Sequence, residues 1–137
     1  DGSGVARTIL VDSTGAQAVY GDITAAQSSD KASYGGTQYS IVSGFLNATV
    51  AGNTELVASE AGKKHVILEV FVINLDNATA ACKFQSATTD ITPTIDLSAD
   101  GGGGRAFLQF EGSDDEAINI NNASGGNIAA QVRYITV

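Results

Sequence analysis

The segment from His65 to Leu75 constrains the fold most strongly. It reads HVILEVFVINL, so large apolar and β-branched residues fill both alternating sets of positions. A strand of this kind is covered on both sides, which places it centrally in a sheet within a layered domain. Strict alternation predicts that Leu68 faces the core. The opposite set, Ile67, Phe71 and Ile73, then forms a second apolar surface, which the chain's own N-terminal residues or a neighbouring subunit must cover.

Shorter strands are predicted on either side of this segment. Turn signals rich in Gly, Asn and Asp recur about every 8–12 residues over residues 45–137, a spacing typical of an all-β domain. Pro93 makes its stretch, residues 89–97, an edge or a bulge. No stretch has the length and apolar stripe of a helix. The pattern predicts an antiparallel β-sandwich, jelly-roll-like. The predicted core comprises Leu56, Val66, Leu68, Val70, Val72, Cys82, Phe84, Ile95, Leu97, Ile118, Ile120, Val132 and Tyr134.

Residues 1–44 differ from the domain predicted over residues 45–137. They are rich in Gly, Ala, Ser, Thr and Gln, and one or two short strands are predicted, at residues 8–11 and 18–20. Residues 25–36 are polar and predict an extended or loosely ordered segment. We therefore expect an extended N-terminal arm over residues 1–44, with Tyr20, Tyr34 and Tyr39 as contact points on a partner.

The charge and the scarce residue types exclude several classes of function. The chain carries 7 Lys and Arg against 15 Asp and Glu, a net charge of −8, which argues against nucleic acid as a partner. One Cys and one His supply neither an internal disulfide nor a four-ligand zinc site. The longest apolar run is far shorter than the ~20 residues that span a membrane, so no membrane partner is predicted.

The two residues most suited to catalysis or metal binding, His65 and Cys82, have ordinary structural interpretations. His65 is predicted at the surface, at the edge of a strand, and no nucleophile motif accompanies it. Cys82 alternates in phase with Phe84, which predicts a small buried hydrophobic residue.

The acidic and glycine-rich segments are likewise predicted to be turns. Residues 96–101 have the oxygen spacing that begins a calcium loop, but Phe107 occupies the position of the required Glu. Residues 101–104 are four glycines that no Lys-Ser/Thr pair follows, so they predict a flexible turn, not a phosphate loop. The acids of residues 111–116 predict a solvated turn. No catalytic, cofactor or metal site is predicted, and we do not expect an enzyme.

Residues 52–137 resemble a domain of small tailed-bacteriophage virion proteins. The matching pieces, in order, are GNTELVASEAGKK, the long apolar strand, KFQSATTDIT, LSADGGGG, EAINI and GGNIAAQVRYITV. The chain departs from the family pattern at Pro93-Thr94 and over residues 113–115, which are unusually acidic. These departures lie in loops.

The resemblance implies a virion structural protein of the head decoration, or cement, type. A protein of this kind binds the major capsid protein on the outer capsid surface as a homotrimer, stabilises the shell and is made in the host bacterial cytoplasm. The alternatives are a tail- or fibre-associated adhesin and a carbohydrate-binding β-sandwich module. Besides the tyrosines of the arm, the residues expected near subunit contacts are Phe71, Phe107, Phe110 and Tyr134.

Overall fold

The computed structural model describes residues 30–137, which form eleven antiparallel β-strands and, within that range, no helix. That part of the chain therefore holds no helix of the length and hydropathy needed to cross a membrane. The strands are β1 (Lys31–Tyr34), β2 (Thr37–Ser40), β3 (Val42–Ala48), β4 (Gly52–Val57), β5 (His65–Asn74), β6 (Ala80–Ser86), β7 (Thr89–Asp90), β8 (Ile95–Leu97), β9 (Gly103–Glu111), β10 (Ile118–Asn122) and β11 (Ile128–Thr136).

Two sheets form a sandwich around one core. The four-stranded sheet has the order β3-β11-β5-β9, and the five-stranded sheet has the order β4-β10-β6-β7, with β8 also paired to β6. The inward side chains of both sheets join in a single apolar cluster, which confirms the predicted antiparallel β-sandwich. The fully buried members of the cluster are Ala48, Ile67, Cys82, Phe84, Ile118, Ile120, Ile128 and Val132.

A β-bulge in β5 changes which side chains reach that core. The pairing with β11 shifts register at this point, because Ile67 and Glu69 lie opposite the adjacent residues Tyr134 and Arg133. Ile67 is 0% exposed and lies in the core, whereas Leu68 is half-buried outside it. The expectation that Leu68 faces inward and Ile67 outward is therefore wrong, because one extra residue reverses the alternation of every side chain beyond it. Val70 and Val72, on the other side of the bulge, face the core as predicted.

The N-terminal end of the described chain is a β-hairpin, so residues 31–36 are more ordered than predicted; residues 25–29 of that predicted segment lie outside the described residues. β1 and β2 pair antiparallel, and Gly35 and Gly36 join them with φ of 56° and 83°. Two consecutive residues with positive φ match the twist of a two-residue hairpin, and glycine adopts them without strain. β3 begins at Val42, so residues 42–44 belong to the sandwich. The strands predicted at residues 8–11 and 18–20 lie outside the described residues.

Two predicted loop features take a more ordered form. The stretch around Pro93 divides into the short strands β7 and β8, with the proline between them. The glycine run ends inside β9, since Gly103 and Gly104 are its first residues. A Cβ on Gly103 would lie 2.3 Å from the carbonyl oxygen of Val72, so glycine permits β9 to approach β5 closely.

Candidate interaction surface

His65 has a structural role. It is 2% exposed, so the prediction of a surface histidine is wrong. Its Nε2 lies 3.0 Å from the carbonyl oxygen of Ala58 and its Nδ1 lies 3.1 Å from the Oγ1 of Thr136. Its ring packs edge-to-face against Tyr134, with centroids 5.1 Å apart. Both ring nitrogens are thus used in hydrogen bonds that connect the ends of neighbouring strands.

Cys82 is buried in the core, as predicted. It is 0% exposed, and burial raises the pKa of its thiol to about 11. A neutral, inaccessible thiol neither attacks an electrophile nor binds a metal at neutral pH. Its reaction with a thiol reagent therefore reports unfolding of the domain.

The acidic side chains are dispersed over the surface. Residues 30–137 contain no group of three or more His, Cys, Asp or Glu side chains placed to hold one metal ion. Asp115 accepts a hydrogen bond from the backbone N–H of Gly62, 2.6 Å away, and Glu116 accepts one from that of Ser113, 3.1 Å away. These carboxylates organise turns.

The outer side of the four-stranded sheet carries exposed aromatic side chains. Phe45 on β3 and Phe107 on β9 are each 77% exposed. Gln131 pairs with both Phe45 and Phe71, and Phe71 pairs with Arg105, so these four residues form one row across the sheet. Phe107 lies on the next row, opposite Glu69. We call the surface formed by Phe45, Phe71 and Phe107 the phenylalanine face.

The charges on the phenylalanine face compensate one another. Glu69, whose side chain is 9% exposed, accepts from the Nε of Arg105 at 2.8 Å and lies 3.5 Å from a guanidinium nitrogen of Arg133. Arg133 also pairs with Asp30 at 2.8 Å. The Arg105 guanidinium lies 5.7 Å from the centre of the Phe71 ring, a cation–π arrangement. Two positive and two negative groups leave this face neutral on a chain of net charge −8.

The β1–β2 hairpin covers one end of the same side of the sheet. Tyr34 donates a hydrogen bond to Glu111, and the Nζ of Lys64 lies 3.1 Å from the other oxygen of that carboxylate. These two contacts lower the pKa of Glu111, and the bond to Glu111 raises the pKa of both Tyr34 and Lys64. Beneath the hairpin, Val66 and Ile135 pair with each other and are 7% and 1% exposed.

The outer side of the five-stranded sheet is different, because its side chains are polar. Asn121 donates to Asn53 on the neighbouring strand. Lys83 pairs with Asp90 at 2.9 Å, and Gln85 donates to the same carboxylate at 2.7 Å. Both contacts lower the pKa of Asp90. We call this surface the amide face; it consists of Asn53, Glu55, Lys83, Gln85, Asp90, Asn119 and Asn121.

The predicted contact residues are distributed over three places. Phe71 and Phe107 lie on the phenylalanine face, and Tyr34 and Tyr39 lie on the hairpin, with ring centroids 6.5 Å apart. Phe110 and Tyr134 pack against the core and are only partly accessible. Tyr20 lies outside the described residues.

Sequence reasoning missed Phe45. Its neighbours Gly44 and Leu46 gave a weak alternation that did not reveal which side of β3 faces outward. The available signal was the phase of Leu46 with Ala48, since both of these residues face the core.

Comparison with known proteins leaves this chain without an assigned family. No family model matches it, and no curated protein matches it. A solved structure that matches is the capsular polysaccharide assembling protein CapF from Staphylococcus aureus, at 9% identity and a TM-score of 0.31. That match covers 78% of this chain and 30% of the CapF chain, so this chain spans less than a third of that protein. A likeness at this TM-score supports no argument about function.

Proposed function

We propose that this chain is a head decoration protein of a tailed bacteriophage. In this proposal it binds the major capsid protein on the outer surface of the capsid as a homotrimer and stabilises the shell. The sequence resemblance over residues 52–137 supports the proposal, and the sandwich is the fold which that resemblance implies. The proposed location is the virion.

The observation that carries the proposal is that both edges of the four-stranded sheet are available for pairing in the described part of the chain. Its edge strands, β3 and β9, are seven and nine residues long, and among residues 30–137 each has a paired neighbour on one side only. Each also bears a phenylalanine that is 77% exposed. Long edges with exposed apolar side chains favour pairing with another chain, and proteins that stay monomeric usually block them. Such a sheet suits a protein that works inside an assembly.

The charge of the chain fits the same role. A trimer carries −24, three times the −8 of one chain, which keeps an exterior protein soluble and separate from nucleic acid. The polar amide face suits exposure to solvent. Three linked copies also bind a symmetric surface with avidity, so each individual contact can be weak.

Light scattering on the pure protein tests the trimer, and sedimentation with emptied capsids of the parent phage tests the binding. We expect light scattering to give a mass of about 42 kDa, three times 13.9 kDa, and the protein to sediment together with the capsids. A monomer that stays in the supernatant would contradict the proposal.

A variant of the β9 edge identifies the surface used for assembly. A Cβ on Gly104 would meet no atom within 4 Å, so Gly104→Lys leaves the fold intact. An edge lysine opposes strand pairing, so we expect loss of the trimer. Asn53→Lys, on the edge strand β4 of the other sheet, is the matched control and should stay trimeric.

The alternative functions have their own tests. Immunolabelling of intact virions separates a head protein from a tail or fibre adhesin. A glycan array tests the carbohydrate-binding module, which needs aromatic platforms that the seven polar residues of the amide face do not supply.

A further inference from the structure

Two buried apolar side chains lie outside the core of the sandwich. Val66 and Ile135 are 7% and 1% exposed and pair with each other across β5 and β11, yet neither belongs to the apolar cluster between the two sheets. They lie on the outer side of the four-stranded sheet, where they line a cavity together with Leu68 and the β1–β2 hairpin. A small separate cluster of this kind is typical of apolar residues that lie under a loop or a hairpin. We call Val66, Leu68 and Ile135 the satellite cluster.

The hairpin above the satellite cluster is a separate two-stranded sheet. β1 and β2 pair with each other, and the carbonyl oxygen of Asp30 accepts a hydrogen bond from the N–H of Ile41, 2.9 Å away, at the open end of the hairpin. Within residues 30–137, no backbone hydrogen bond joins either strand to the sandwich. A two-stranded hairpin is at best marginally stable on its own. The position of the hairpin therefore depends on side-chain contacts with the sheet.

The polar side-chain contacts of the hairpin lie in solvent. Tyr34 donates a hydrogen bond to Glu111, and Asp30 pairs with Arg133 at 2.8 Å. The side chains of Glu111 and Asp30 are 45% and 70% exposed. Exposed pairs of this kind contribute little to stability, because water and salt screen them. The packing beneath the hairpin is also incomplete, since the cavity between the hairpin and the sheet has a volume of about 430 Å³.

Opening of the hairpin requires less free energy than unfolding of the sandwich. It uncovers the satellite cluster alone, whereas global unfolding uncovers the whole core cluster as well. The free energy of exposure grows with the apolar area that is returned to water. Regions with few buried apolar contacts therefore open more often than the whole domain unfolds. Ile41, which lies between β2 and β3 and belongs to neither strand, is the position of the hinge.

We propose that the β1–β2 hairpin is a strap that opens as a unit at Ile41 while the sandwich stays folded. In the closed state the strap covers the satellite cluster. In the open state it uncovers Val66 and Leu68, which lie on the same strand and the same side of the sheet as Phe71. The apolar surface then extends along β5, so the strap controls how much of the sheet a partner can contact. This inference rests on the fold and is independent of the proposed role in the capsid.

Native-state hydrogen exchange of the full-length protein tests whether the hairpin opens separately. We expect the amides of residues 31–40 to exchange several-fold faster than those of Phe84 and Ile120. Their exchange should also depend only weakly on denaturant, because a local opening exposes little surface. Equal rates with equal denaturant dependence would overturn the inference, since the hairpin would then open only when the domain unfolds. Exchange of residues 31–40 at the unprotected rate would overturn it too, because no closed state would exist.

A second thiol tests whether the opening uncovers the satellite cluster. In the Leu68→Cys variant, the native Cys82 reports global unfolding because it is 0% exposed, and peptide mass spectrometry separates the two sites. We expect the introduced thiol to react with iodoacetamide several-fold faster than Cys82. Adding Tyr34→Phe and Asp30→Ala removes both polar contacts of the hairpin. These changes should raise the rate at position 68 several-fold and leave the rate at Cys82 unchanged.

Asp90→Asn is the matched control for the loss of an exposed contact. It removes an ion pair from the amide face and should leave both labelling rates unchanged. Reaction at position 68 at the rate of Cys82, or at a rate that loss of the two hairpin contacts does not change, would overturn the inference. Protection at position 68 that grows with protein concentration would also overturn it, because another copy and not the hairpin would then cover the cluster. The light-scattering and co-sedimentation results are independent of these measurements.

Discussion

The two outer surfaces of this sandwich share one backbone geometry and present opposite chemistry. The amide face pairs several of its polar groups with one another, as in the pairing of Lys83 with Asp90. The phenylalanine face leaves Phe45 and Phe107 largely exposed, above an ion pair whose carboxylate, Glu69, is nearly buried. The difference teaches that the side chains, and not the backbone, decide what the outer side of a sheet presents: one side presents paired polar groups, and the other presents aromatic rings.

The largest expected effect separates the inner from the outer side of β5. Ile67→Ala should lower the free energy of unfolding by about 2–5 kcal/mol, because it removes a fully buried side chain from the core. Leu68→Ala should lower it by about 1 kcal/mol, since this side chain is half-buried under the hairpin. Denaturant titration measures both values. Equal losses would show that the bulge does not set the inward side.

An intermediate effect compares one ion pair from each outer surface. Glu69→Gln should destabilise the fold by about 1–3 kcal/mol, because Arg105 and Arg133 lose a partner that is almost buried. Asp90→Asn should fall within the error of the measurement, because its pair with Lys83 is solvated. Thermal unfolding of both variants checks this order. A larger loss for Asp90→Asn would reverse the comparison.

The smallest effect is local and depends on pH. The folded-state pKa of Glu111 is lowered below 4.5, so its contribution is complete above the unfolded pKa and is lost as pH falls through the folded pKa. The titratable groups that contact it are Tyr34 and Lys64.

We expect acidification below pH 4.5 to speed amide hydrogen exchange in residues 31–40, after correction for the intrinsic rate. Asp90 also titrates below its ordinary pKa, but it anchors no comparable element on the amide face. Tyr34→Phe is the control, because it removes the bond to Glu111 and should weaken the pH dependence. Unchanged exchange in the wild-type protein would show that this cluster does not hold the hairpin.

The sequence predicted the architecture because alternation and turns are local signals. The strands around Phe84 and Ile120 were recognisable from their own residues, and both side chains face the core. The bulge beside Ile67 was not recognisable, because it depends on the register with β11, a strand that begins about 60 residues later. His65 was misplaced at the surface for a similar reason, since its partners Ala58 and Thr136 come from outside its own strand.

Part of the candidate surface could also be predicted. Phe71 was singled out because a strand that is apolar on both sides needs an outer cover, and Phe107 was expected near a subunit contact; both lie on the phenylalanine face. Phe110 was also expected near a subunit contact, but the register shift opposite Ile67 turns it inward. Phe45 was missed because the weak alternation of its strand did not show which side faces outward. Contact surfaces depend on which strands lie side by side, and that information is distributed over the whole chain.

The pairing of β3 with β11 has a consequence for how this domain is made. Residue 42 pairs with residue 134, so β3, the first strand of the four-stranded sheet, cannot pair until β11, the last strand, has been synthesised. Contacts this distant along the chain slow folding, and within the described part of the chain β11 is the one strand that pairs with β3 in its sheet. During synthesis, Phe45 and Leu46 therefore remain unpaired while most of the domain is translated. A chaperone that binds short apolar segments would find this strand accessible for the longest time.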